Sequence, residues 1–263
     1  MDLGLGGKVA LVAASSRGLG RAAATELARE GASVALCARN AAELQAAAEA
    51  IRQETGAEVL AVPADLTRAE DIQRLVAQVE ERFGRVDILV TNAGGPPGGS
   101  FEDFDDEDWR RAWELTLMSA VRLIRAVLPG MKARRWGRII NITSVSIKQP
   151  LPDLLLSNAY RAAVAGMAKT LANDLARLNI TVNNVCPGWT LTDRVRELVQ
   201  RRADQQGVPF EEALKAVTAE IPMRRMGKPE ELAACIAFLA SERAAYITGV
   251  SIPVDGGTVR GLL

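Results

Sequence analysis

Short, almost continuously apolar runs alternate along the chain with longer stretches in which apolar residues recur at helical spacing. The apolar runs are rich in aliphatic and β-branched residues, as expected of strands covered on both faces. They span residues 8–13, 33–37, 58–62, 86–91, 138–142, 181–186 and 250–254, with helical stretches at 18–30, 41–54, 70–83 and 108–131. The alternation predicts an α/β fold with a doubly wound parallel sheet of seven strands.

Two stretches depart from the alternation. Residues 94–100 read GGPPGGS directly after a predicted strand, and residues 193–222 form a long, charged, weakly helical insertion. Loops at the carboxyl ends of parallel strands form the ligand crevice of such sheets, so each stretch is either a substrate wall or lid, or a plain surface excursion. No linker interrupts the pattern, and we expect residues 1–263 to form a single domain with a lid at about 193–222.

Composition excludes several classes of site. The chain has no histidine, which removes Ser-His-Asp triads and zinc sites that need imidazole. Its 32 basic and 32 acidic side chains cancel, so net charge gives no reason to expect nucleic acid or an anionic membrane as a partner. The three cysteines are far apart, without a Cys-x-x-Cys pair, and predict neither disulfides nor a metal site. We expect a cytoplasmic protein without a metal or a membrane span.

The segment AASSRGLG, residues 13–20, joins the first predicted strand to the first helix. Backbone N–H groups in such a turn, together with the N-terminus of the helix, can hold a pyrophosphate. A glycine pair also occurs in plain strand-to-helix turns, so the strand–turn–helix context is what favours a nucleotide site.

Further motifs follow the later strands, and with the glycine turn they resemble the short-chain dehydrogenase/reductase family, near its 3-oxoacyl-acyl-carrier-protein reductases. These motifs are Asp65-Leu66, Asn92-Ala93-Gly94, Ser144, Pro187-Gly188 with Thr192, and VDGG at residues 254–257. The resemblance covers nearly the whole chain. It implies a Rossmann-type sheet in the order 3-2-1-4-5-6-7 and a homotetramer formed through the helices that follow the fourth and fifth strands.

The same resemblance implies a dinucleotide site. In such enzymes Asp65 contacts the adenine, residues 92–94 line the cofactor, and residues 187–192 hold the nicotinamide amide. The expected cofactor-binding residues are Ala14, Ser16, Arg17, Gly18, Leu19, Arg39, Asp65, Leu66, Asn92, Ala93, Gly94, Arg161, Pro187, Gly188, Thr190 and Thr192.

Charge at the end of the second strand predicts the choice of cofactor. NAD-preferring relatives carry an acid there for the ribose hydroxyls, but this chain has Ala38 followed by Arg39, with Arg17 in the glycine turn. Either arginine alone could be a solvated surface residue. Two guanidinium groups together suit the 2′-phosphate of NADP.

The chain departs from the family at the reacting centre. The family's turn begins Thr-Gly, where this chain has Ala13 and Ala14, and alanine disfavours a positive φ. The family's catalytic set is Asn, Ser and Tyr-x-x-x-Lys. By spacing, these positions are Thr116, Ser144, Ser157 and Arg161, so that only the serine is retained.

The loss of tyrosine removes the usual proton donor, because a serine hydroxyl without an adjacent base is a far weaker acid. Tyr160 offers a substitute, since Ser157, Tyr160 and Arg161 would share one face of a helix starting near Asp153. The alternative for Tyr160 is packing against a neighbouring subunit.

Two functions follow from these residues. The first is an NADP-dependent reductase that converts a ketone or a 3-oxoacyl thioester, carried on acyl carrier protein or coenzyme A, to an alcohol. Ser144 would bind the carbonyl oxygen, Tyr160 or a water held by Ser157 and Thr116 would deliver the proton, and Arg161 would orient the ribose. The second is a catalytically inactive relative that binds nucleotide as a sensor, scaffold or oligomer partner.

Overall fold

Seven parallel strands form one sheet in the order β3-β2-β1-β4-β5-β6-β7, as the resemblance implied. The computed structural model describes residues 2–262. All seven predicted strands are confirmed, with ends that shift by a few residues: β1 (Val9–Val12), β2 (Ser33–Ala38), β3 (Val59–Pro63), β4 (Ile88–Thr91), β5 (Gly137–Ile142), β6 (Ile180–Pro187) and β7 (Ser251–Val254).

Helices cover both faces of the sheet. They are α1 (Gly18–Arg29), α2 (Ala41–Thr55), α3 (Ala69–Phe83), α4 (Asp106–Trp113), α5 (Ser119–Arg134), α6 (Leu155–Leu175), α7 (Asp193–Gln206), α8 (Phe210–Glu220) and α9 (Pro229–Ala240). Apolar side chains of α1, α2 and α9 pack on one face, and those of α3, α5 and α6 pack on the other. The central strands are therefore buried on both sides, which explains their continuous apolar sequence.

The insertion at 193–222 is more ordered than its sequence suggested. It folds into the helices α7 and α8, which share a small apolar cluster of their own formed by Val199, Ala203, Ala213, Val217, Ile221 and Met226. Val199 and Ala203 are four apart and are the buried residues of α7, so a single narrow stripe carries the packing of that helix. Within residues 2–262, none of the helices has the length and apolar character needed to cross a membrane.

The turn after β1 holds Ala14 in the left-handed region, with φ of 48°. Its carbonyl accepts a hydrogen bond of 3.3 Å from Asn92 Nδ2. The packing of α1 fixes this conformation, because a Cβ at Gly20 would lie 2.4 Å from the Ala14 carbonyl oxygen. The fold thus imposes on an alanine the backbone conformation that glycine adopts freely.

We predict that Ala14→Gly stabilises the protein by up to about 1 kcal/mol. Glycine relieves the strain of alanine in the left-handed conformation, which is worth about 1 kcal/mol or more. The greater freedom that glycine gives the unfolded chain lowers the stability by somewhat less. Thermal or urea unfolding measures the change. Ala13→Gly is the matched control, since Ala13 is fully buried and is not among the positive-φ residues, so that this variant should lose stability. A destabilised Ala14→Gly would contradict the interpretation.

Candidate active site

The N-terminus of α1 is open toward the glycine turn. Helix α1 begins at Gly18, which has φ of 57°, and it has no side-chain cap and no acidic residue in its first turn. Ser16 is partly buried beside it, and Leu19 packs against the core. The first N–H groups of α1 are therefore free to bind an anion such as a pyrophosphate.

Two arginines lie near this turn. Arg39 is exposed directly after β2 and, within residues 2–262, takes part in no ion pair. Arg17 is exposed and reaches Asp193 of α7 at 3.8 Å, a solvent-screened pair that contributes little. Ala38, at the end of β2, adds no competing carboxylate. The local charge is thus suited to a phosphate group.

The residues after β3 and β4 are held by hydrogen bonds. One carboxylate oxygen of Asp65 accepts from the backbone N and the hydroxyl of Thr67, at 3.0 and 2.8 Å. Leu66 beside it is buried. Asn92 is tied to the glycine turn, whereas a Cβ at Gly94 would meet nothing within 4 Å. The backbone between Asn92 and Gly94 thus borders open space at the carboxyl end of the sheet.

The segment after β6 approaches the sheet edge closely. A Cβ at Gly188 would lie 2.7 Å from Cβ of Asp255, so this position requires glycine. The hydroxyl of Thr190, a buried residue, donates to the Gly188 carbonyl at 3.3 Å. Thr192 caps α7 by accepting from the backbone N of Val195. The 187–192 segment is therefore a rigid wall between β6 and the α7–α8 hairpin.

Ser144 comes two residues after the end of β5 and caps the short 3₁₀ turn Val145–Ile147. Its Oγ accepts from the backbone N of Ser146 at 3.0 Å, which orients the side chain and leaves its own proton free to donate.

Arg161 binds Ser157 one helical turn away. Its Nε donates to Ser157 Oγ at 3.0 Å, and its Nη1 donates to the carbonyls of Thr143 and Ile142 at 2.8 and 3.2 Å. Burial, and then the positive charge of Arg194, lower the pKa of Arg161 to about 10, so it stays a cation at neutral pH. The structure confirms that Ser157 and Arg161 share one face of a helix. The guanidinium is directed at the end of β5. Its expected contact with the cofactor ribose stays a prediction.

Thr116 lies in a π-helical turn, Glu114–Met118, between α4 and α5. Its hydroxyl is buried and, within the described residues 2–262, has no hydrogen-bond partner. With Arg161 and Asn92 it lines a cavity of about 20 Å³, which has room for a single water molecule. A buried donor beside such a cavity favours a bound water, because an unpartnered hydroxyl is costly. π-Helical turns of this kind are frequent at functional sites.

Tyr160 is turned away from this cluster. Its hydroxyl donates to the backbone carbonyl of Trp109 in α4 at 3.0 Å, and the two rings meet edge to face with centroids 5.8 Å apart. Burial raises the pKa of Tyr160, which makes the phenol a weaker acid. The expectation that Tyr160 could reach the reacting carbonyl is not supported by this placement. A half-buried phenol needs an acceptor, and α4 supplies one within the same chain.

Sequence reasoning missed a residue that joins the two irregular segments. Arg194, in the first turn of α7, donates from Nη2 to the Pro96 carbonyl at 2.9 Å. Its guanidinium covers Gly95, where a Cβ would lie 3.4 Å from Arg194 Nε. The glycines of the 94–100 loop were a partial signal, because a side chain can lie across a backbone that has none. Nothing in the sequence identified which side chain does so.

A row of polar side chains beneath the site was also missed. Thr91 donates to Asn141 at 2.7 Å, Asn141 to Asn184 at 3.0 Å, and Asn184 to Ser251 at 2.9 Å. The row crosses the sheet from Thr91, the last residue of β4, through β5 and β6 to Ser251, the first residue of β7. It satisfies buried polar groups and holds the strand ends in register below the site.

Comparison with known proteins shows which proteins this chain is similar to. Residues 13–259 match the family model described as enoyl-(acyl carrier protein) reductase. The chain is 37% identical over 259 residues to the D-beta-hydroxybutyrate dehydrogenase of Cupriavidus necator, covering 97% of this chain and 99% of that protein. It is 36% identical over 255 residues to the 3-oxoacyl-acyl-carrier-protein reductase of Pseudomonas aeruginosa, covering 97% and 98%.

A solved structure agrees over the full length. The L-sorbose reductase of Gluconobacter frateurii, complexed with NADPH and L-sorbose, superposes with a TM-score of 0.95 at 39% identity and covers 100% of both chains. The strand order, the glycine turn and the family model all point the same way, and the chain belongs to the short-chain dehydrogenase/reductase family.

Proposed function

We propose that this protein is an NADP-dependent reductase that converts a carbonyl group to an alcohol. The observation that carries the proposal is the contact of the Arg161 guanidinium with the Ser157 hydroxyl, beside Ser144 at the end of β5. Serine with arginine stands here in the place of the family's tyrosine with lysine, and it retains a hydroxyl donor next to a fixed positive charge.

The residues present fit a dinucleotide. The uncapped N-terminus of α1 suits the pyrophosphate, and a side chain at Gly20 would be excluded by the turn. Arg17 and Arg39 suit a 2′-phosphate. The L-sorbose reductase and the actinorhodin polyketide ketoreductase, 37% identical at a TM-score of 0.93, are NADPH complexes. When bound, NADPH supplies the hydride.

The side chains supply the proton and the charge. Ser144 donates to the carbonyl oxygen of the substrate and stabilises the negative charge that develops there. The Ser157 hydroxyl, which accepts from Arg161, gives its proton to that oxygen, and the guanidinium stabilises the serine alkoxide left behind. A water in the cavity beside Thr116 returns a proton to Ser157 and recovers its own from solvent.

The substrate class follows the relatives. A ketone or a 3-oxoacyl thioester is consistent with the 3-oxoacyl-acyl-carrier-protein reductase and with the L-sorbose reductase. The α7–α8 hairpin forms the lid over the carbonyl, and its contact with the 94–100 loop through Arg194 supports that role. We further propose that residues 1–263 form a single domain and that the protein assembles as a homotetramer. A cytoplasmic setting is also proposed, and the three free cysteines are consistent with it.

We predict that Arg39→Ala weakens NADPH binding by about 10- to 100-fold and leaves NADH binding unchanged, because one charge-assisted contact with the 2′-phosphate is lost. Fluorescence titration with each nucleotide measures both effects. Arg177→Ala, an exposed arginine after α6 at the opposite end of the sheet, is the control and should change neither. Equal losses for NADPH and NADH would show that Arg39 does not recognise the phosphate.

We predict that Ser144→Ala and Ser157→Ala each lower the kcat for NADPH-dependent ketone reduction by about 100-fold or more, through loss of an oxyanion donor or of the proton donor. Tyr160→Phe should keep the kcat within about threefold, because its hydroxyl is bound to Trp109. A panel of ketones, diketones and 3-oxoacyl thioesters supplies the substrates.

Two results would overturn this mechanism. Loss of turnover in Tyr160→Phe would return the acid role to that tyrosine. NADPH binding without turnover on the whole panel would support a catalytically inactive, nucleotide-binding protein.

A further inference from the structure

Two arginines lie at the carboxyl end of the sheet. The guanidinium of Arg161 is bonded to the Thr143 carbonyl next to Ser144. The guanidinium of Arg194, in the first turn of α7, lies across the 94–100 loop, and the Gly99 N of this loop donates to the Asp153 carbonyl just before α6. The two arginines are close enough for the charge of Arg194 to lower the pKa of Arg161. Like charges repel in a partly desolvated cleft, so this arrangement is unfavourable unless an anion lies between them.

Among the described residues 2–262, neither arginine has a buried counter-ion. The hydrogen bonds of Arg161 all go to neutral groups: the Ser157 hydroxyl and two backbone carbonyls. Arg194 has one carboxylate near it, that of Glu197, at 3.5 Å from Nη1. The Glu197 side chain is 60% exposed, so this pair contributes little and is easily exchanged.

Arg194 is placed to recognise a negatively charged group. Its Nη2 contact with the Pro96 carbonyl fixes the guanidinium across the 94–100 loop. The Nη1 atom of Arg194 lies 3.5 Å from the exposed Glu197 carboxylate, and a substrate carboxylate can displace that group. The planar fork of arginine matches a carboxylate in both geometry and charge.

We propose that the substrate is an oxo acid, whose ketone binds at Ser144 and whose carboxylate binds Arg194 between the lid and the 94–100 loop. The inference rests on the proposed reductase function and names its substrate class. A carboxylate accepts two parallel N–H bonds from the planar fork of Arg194. Arg194 is thereby the residue that sets specificity, and it takes no part in proton transfer.

The test compares straight-chain oxo acids with their methyl esters. Each pair, such as 4-oxopentanoate and its methyl ester, has the same ketone and chain and differs in the charge. NADPH oxidation gives kcat/KM for the wild type, Arg194→Gln, Arg194→Lys and Arg196→Gln. Arg196 is an exposed arginine on the same helix and is the matched control.

We expect the wild type and Arg196→Gln to prefer the acid over its ester by about 10- to 100-fold. Arg194→Gln should lower kcat/KM for the acid far more than kcat/KM for the ester, so that the preference is lost, and Arg194→Lys should recover part of the preference. If Arg194 had a purely structural role, its substitution would instead lower kcat/KM for the acid and for the ester by the same factor.

Two results overturn the inference while the reductase function stands: a wild type that reduces esters as well as acids, and a preference that persists in Arg194→Gln. Failure to reduce any acid, ester or other carbonyl compound with bound NADPH would overturn the proposed function itself.

Discussion

The bonding of one half-buried cation organises the reacting centre. Arg161 contacts Ser157 on its own helix and two carbonyls at the end of β5, so its guanidinium joins α6 to the sheet. Three hydrogen bonds offset much of the cost of removing the charge from water. The same bonds fix the distance between the strand that leads to Ser144 and the helix that carries Ser157.

The fold preserves backbone geometry at positions where the family's residue types have changed. Ala14 takes a left-handed conformation, and its carbonyl oxygen lies so close to Gly20 that a Cβ there would be 2.4 Å away. Thr116, where the family has asparagine, still lies in a π-helical turn and still leaves a polar group facing a water-sized cavity. Packing of helices against the sheet, more than the side chains themselves, therefore maintains the shape of the site.

The sequence was sufficient for the strands and for the pairing of Ser157 with Arg161, because both depend on local periodicity. The strand order came from the family resemblance, since periodicity alone does not order a sheet. The orientation of Tyr160 could not be predicted. Its helix face permits contact with either the cleft or α4, and the carbonyl of Trp109, 51 positions earlier in the chain, decides between them.

Long-range contacts explain why other features of the site could not be predicted from the sequence. Arg194 and Pro96 are 98 positions apart, and the Thr91–Asn141 bond joins strands whose spacing in the sequence does not reveal their register. The α7–α8 hairpin was underestimated because α7 has a narrow apolar stripe among many charged residues. Such features appear only when the chain is folded, and they are the ones that shape the substrate cleft.

The central claim is that a serine–arginine pair supports hydride transfer in this protein. The direct measurement is the fate of a deuterium label, with NADPH deuterated at the transferable C4 position, an oxo acid as substrate, and the product analysed by mass spectrometry and NMR. The account predicts one deuterium on the carbinol carbon for the wild type, and its loss in a Ser144→Ala/Ser157→Ala double variant that still binds NADPH. Bound NADPH whose label never reaches an alcohol product would contradict it.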